Sequence, residues 1–110
     1  MPPTPTYNGF WLTADQDAVI EVSRQGDMYV GRYVAFHKDP ATKKTRLNTY
    51  SFKDMQPDGD ELSGRVLDPK SGKGYKATLH LTGPQTLELK VKAMGITAHT
   101  ETWTRQPTGK

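Results

Sequence analysis

The residues of this 110-residue chain that invite a chemical reading begin with Gly72-Lys73, inside VLDPKSGKGYKATLHL at 66–81. A phosphate-cradling loop needs Gly, four residues, then Gly-Lys-Ser/Thr, with a helix following. Leu67 stands where the first glycine is required, and Gly74 replaces the hydroxyl that would meet magnesium. The following YKATLHL alternates as a strand does, so nucleotide hydrolysis is rejected. The stretch reads instead as a hairpin, with Asp68-Pro69 opening the turn and Ser71 to Gly74 supplying its flexible backbone.

Other candidates thin out in the same way. His37, His80 and His99 lack metal-ligand spacing. His80 and His99 are assigned to the polar faces of their strands, on the exterior. Asp15 and Asp17, and Asp58, Asp60 and Glu61, fall in turns without the alternating acidic pattern of a calcium loop. There is no Gly-x-Ser-x-Gly elbow. There is no cysteine, which excludes disulfides, thiolate catalysis and Cys-ligated zinc. No catalytic residue, metal or cofactor is expected.

Lysines and arginines gather at Lys43, Lys44 and Arg46, at Lys70, Lys73 and Lys76, and at Lys90 and Lys92, and Tyr29, Tyr33 and Tyr50 are available to interleave. Yet 15 basic residues face 12 acidic ones, for a net charge of only +3, and no RNA-binding signature occurs. Nucleic acid is not an expected partner.

Elements that position these residues follow a period of two. Prolines at 2, 3 and 5 make residues 1–8 an extended or disordered arm. Strands are expected over 9–13, 18–25, 28–36, 47–53, 62–67, 75–81, 86–91 and 95–105, with turns at Gly26-Asp27, 56–61 and 82–85. Residues 106–110 form a disordered tail. In 75–81, Tyr75, Ala77, Leu79 and Leu81 share one face. About eight short strands and no helix predict an all-β fold, one domain over 9–105, closed as a small antiparallel up-and-down barrel. No apolar run approaches a membrane span.

Four features in order carry a family resemblance: Gly9-x-Trp11; Gly26 and Gly31 about a hairpin; Gly64, Val66, Asp68, Pro69, Gly72, Lys73 and Tyr75; and Trp103-x-Arg105. Over about 9–105 the chain resembles the bacterial DUF2147 family. The match fails in TRLNTYSFKDMQP, which keeps Arg46 but not the Arg-Pro-Leu-x-Gly order. The resemblance implies a lipocalin-like, calycin-type barrel and an exported protein, periplasmic or secreted. The first residues themselves are neither basic nor apolar enough for an export signal. It also implies a structural role for Gly9, Trp11, Asp68, Pro69, Gly72, Trp103 and Arg105, with Arg105 stacked on Trp11 to seal the barrel floor.

The expected function is non-catalytic binding of a small apolar or amphipathic ligand inside the barrel. Tyr33, Phe36, Phe52, Tyr75, Leu79 and Leu89 are the candidate binding residues, with tyrosines supplying the polar contacts. The alternative is a filled, closed barrel that serves as a protein-interaction module through its loops, the basic stretch at 38–46 above all. Polyanion binding is a minor third reading.

Overall fold

The computed structural model describes residues 7–38, 47, 49–67, 73–93 and 96–108. Its strands are β1 (Gly9–Leu12), β2 (Ala18–Gln25), β3 (Met28–Phe36), β4 (Tyr50–Asp58), β5 (Glu61–Leu67), β6 (Gly74–Gly83), β7 (Thr86–Ala93) and β8 (Ile96–Gln106). Each pairs antiparallel with the next. β1 then meets β8 through Phe10↔Gln106, Trp11↔Arg105 and Leu12↔Thr104. The fold is therefore a closed eight-stranded up-and-down barrel, as the alternation predicts, with no helix among the described residues. Closure satisfies the edge strands that an open sheet would leave unpaired.

Directly opposed residues point to the same face, so inner rows can be followed across the strands. Ala77, Val91 and His99 form one row; Leu79, Leu89 and Glu101 the next; Leu81, Leu87 and Trp103 a third. The large side chains Trp11, Phe52, Met55, Leu79 and Leu87 are fully buried, and Trp103 nearly so. An eight-stranded barrel is just wide enough to be filled by side chains or to hold one small ligand. Here two indoles, a phenyl ring and a thioether pack into one cluster in the interior.

One hairpin departs from the sequence reading. β4 begins at Tyr50 rather than residue 47 and runs through Asp58, where the sequence reading places a turn from 56. Its pairing with β5 slips between Lys53 and Gln56. Asp54, at φ 57°, takes the left-handed conformation that aspartate tolerates better than most residues. This bulge brings Phe52 and Met55, three apart, both into the core. Strict alternation cannot foresee that, and the turn moves to Gly59 (φ 61°) and Asp60.

One end of the barrel is crossed by the chain itself. Tyr7 and Asn8, assigned to the N-terminal arm from sequence, pack there. The Tyr7 hydroxyl lies 3.1 Å from the carbonyls of both Asp60 and Leu79, and the Trp11 indole donates to the Tyr7 carbonyl at 2.9 Å. Burial pushes the Tyr7 phenol above its ordinary pKa. The Arg105 guanidinium lies 4.3 Å from the Trp11 ring centroid and donates to the carbonyls of Pro84 (2.9 Å) and Asn8 (2.8 Å). Gly9 is at φ 135°, a conformation that favours glycine, and a Cβ there would stand 2.7 Å from an Arg105 nitrogen and push the guanidinium aside. Arg105→Ala removes the stacking and two charge-assisted hydrogen bonds, and is expected to cost about 1–2 kcal/mol. Chemical denaturation measures this; an unchanged midpoint would remove the end-sealing role.

Candidate functional site

The opposite end is different. A depression of about 720 Å³ opens between the β1–β2 connection, the last residues of β3, and β8. Its walls are Thr13 to Asp15, Asp17 and Ala18 on one side, Tyr33 and Phe36 beside them, and His99 to Thr102 opposite.

Short polar side chains hold the β1–β2 connection in shape. The Thr13 amide donates to the Ala18 carbonyl and the Gln16 amide to the Thr13 carbonyl, both at 2.9 Å. The Asp15 carboxylate accepts from the Thr13 hydroxyl (2.5 Å) and the Asp17 amide (3.1 Å), an Asx-type turn. Asp17 reaches across to the end of β3, where its carboxylate accepts from the amides of His37 (3.1 Å) and Lys38 (2.8 Å). Lys38 Nζ donates to the Asp15 carbonyl at 2.6 Å. These acids, which the sequence places in a turn, tie the connection to the end of β3.

The Thr13 hydroxyl bond is the main reason that Asp15 titrates below the ordinary aspartate range. Its folded value is thus lower than its unfolded value. The associated stability is present above about pH 4 and lost as pH falls through the folded value. Melting temperatures of the native chain should therefore fall more steeply with acid than those of Asp15→Asn. Superimposable acid limbs would show that Asp15 does not contribute.

Tyr33 and Phe36 form a tilted aromatic pair with centroids 5.2 Å apart and planes at 31°. Facing them, β8 presents His99, Glu101 and Trp103 in succession on its inner side. The Trp103 indole donates to Glu101 Oε1, while His99 Nε2 lies 2.9 Å from Glu101 Oε2. A carboxylate accepts only, so His99 Nε2 carries the hydrogen. Exposure rises along the row: Trp103 is buried, the Glu101 side chain is 24% exposed and the His99 side chain 60%. A charge on an inner face is tolerable here because it sits at the mouth and both its oxygens have donors.

The candidate binding residues separate accordingly. Tyr33 and Phe36 line the depression. Phe52, Leu79 and Leu89 belong to the packed core, and Tyr75 stands 39% exposed at the start of β6, outside the lining. The barrel interior around Phe52, Leu79 and Leu89 is filled by the protein's own large side chains, and the concavity that Tyr33 and Phe36 line lies at the mouth. His99 is corrected too: its register with Val91 and Ala77 puts it on the inner face. His80 faces outward, opposite Glu61 and Glu88. Asp68, Pro69, Gly72 and the basic stretch 39–46 lie outside the described residues. Sequence reasoning missed Glu101, although HTETWTR alternates strictly with threonine. Once Trp103 and Arg105 are placed inside, His99 and Glu101 must follow.

A family model described as an uncharacterized protein conserved in bacteria (DUF2147) matches residues 9–105. No curated protein and no solved structure matches the chain.

Proposed function

This chain belongs to that bacterial family, and we propose that it is a non-catalytic, lipocalin-like binding protein that takes a small amphipathic ligand at the open mouth of its barrel. The observation that carries the reading is the depression itself. It sets the Tyr33–Phe36 pair against the polar His99–Glu101 row, above a filled core. Such a mixture of aromatic surface and a few fixed polar groups is what orients small ligands. An environment-sensitive apolar dye, titrated against the purified protein, tests it. One saturable site is expected, weakened roughly tenfold or more in Phe36→Ala and untouched by Arg105→Ala at the far end. If no dye binds, or Phe36→Ala binds it equally well, the reading fails.

The filled core also favours a second reading, a closed barrel whose loops engage another protein. A dye-negative result with a retained fold would turn attention to it. We further propose export from the cytoplasm, to the periplasm or beyond; fractionation of cells expressing the full gene product decides this.

A further inference from the structure

Among the described residues, the depression is lined by acidic groups, whereas the chain as a whole is basic. The protein carries a net +3. Among the described residues, those lining the depression include three carboxylates, Asp15, Asp17 and Glu101, one histidine, and neither lysine nor arginine. Lys38 stands at the rim, with its ammonium committed to the Asp15 carbonyl.

These carboxylates differ in what they offer. Asp15 and Asp17 are turned into the backbone of their own connection and of β3. Glu101 projects from β8 into the mouth, held by the Trp103 indole from below and by His99 from the side. Each carboxylate oxygen has two acceptor directions, so these two donors leave Glu101 able to receive a further positive group. Opposite it, the Tyr33–Phe36 pair supplies π-faces, which attract a cation that has shed part of its water. Apolar surface and negative charge are therefore within one small concavity.

We propose that the mouth selects an organic cation: an ammonium head group on an apolar body, with Glu101 as the counter-charge and Tyr33 and Phe36 as the aromatic wall. This rests on the binding reading above and adds the class of ligand. His99 acts as a positioning residue, fixing the carboxylate through Oε2 while Trp103 fixes it through Oε1.

Calorimetric titration with three probes that share an octyl chain, each below its micellar concentration, tests the proposal: octyltrimethylammonium, octyl sulfate and octyl glucoside. The cationic probe should bind at least roughly tenfold more tightly than the other two. Glu101→Gln keeps an oxygen for the Trp103 indole and should bring the cation's affinity to within about twofold of the neutral probe's. Phe36→Ala should weaken all three. If the sulfate or the glucoside binds as well as the cation, or if Glu101→Gln retains the preference with a native melting curve, selection for cations is overturned while binding at the mouth stands. If none of the three binds, both readings fall. Should Glu101→Gln prove unstable, Asp17→Asn must leave the cation preference within about twofold, since its carboxylate is committed to backbone amides; loss of the preference there would overturn the assignment to Glu101.

Discussion

Replacing Trp103 by alanine is expected to destabilise the barrel by about 3–5 kcal/mol, the range for truncating a buried large aromatic. Trp103 is 2% exposed and stacks on Phe52, with centroids 6.5 Å apart and planes at 24°. Leu87 stands directly opposite it on β7. The loss leaves a hole among residues that the closed barrel cannot bring together, because every strand is fixed on both sides by its neighbours. The change also removes the donor to Glu101 Oε1. Trp103→Phe separates the two contributions. It keeps most of the ring stacking and loses the indole N–H, which should cost about 1.5–3 kcal/mol, the range for a hydrogen bond to a charged group. Urea denaturation followed by the remaining Trp11 measures both. An alanine variant within about 1 kcal/mol of the native chain, well short of the cost of emptying a buried aromatic site, would contradict the packing described above.

A methyl group at Gly31 is the second severe change, and the reason lies on another strand. Gly31 is opposite Phe52 in the β3–β4 pairing, and the Phe52 ring lies flat against the space where a side chain would stand. An added Cβ would meet Phe52 Cε1 in a clash and stand 2.8 Å from both Cδ1 and Cζ. That is far inside van der Waals contact. The ring has no free direction in which to retreat, since it is fully buried with Trp103 stacked against it. Gly31→Ala should cost about 2–3 kcal/mol, towards the upper end for overpacking a core. Phe52→Leu, with a smaller and more adaptable side chain, should relieve much of this. The double variant is then expected to be more stable than the sum of the single effects by about 1 kcal/mol or more, a coupling typical of residues in contact. Strict additivity would show that the two positions do not meet.

The fold is legible in the chain because its signal is local. Ala77 and Leu79 alternate with Lys76, Thr78 and His80, and a strand with one buried face requires that alternation wherever it lies in the chain. Turn residues at Gly26-Asp27 and the short spacing between strands then leave antiparallel neighbours as the simple arrangement. The pairing of Trp11 with Arg105 comes from family resemblance rather than from spacing; in the structure they stand opposite each other across the β1–β8 seam.

The location of the site is a different kind of question. Period two says which residues share a face of a strand, but not which face is the inside when both carry polar groups. β8 is such a strand: His99, Glu101, Trp103 and Arg105 on one side, threonines on the other. Only pairing with β7, which sets Glu101 against Leu89 and His99 against Val91, turns the charged side inward. Likewise, Phe36 and Phe52 look alike in sequence, yet one lines the mouth and the other is sealed against Trp103. The Asp54 bulge that moves Met55 inward is set by the register of two strands together. The strands, their succession and the apolar residues available for a core can thus be read along the chain. Whether that core leaves room for a ligand is settled only in three dimensions, because free volume depends on how side chains from opposite walls meet, and no single strand contains that information.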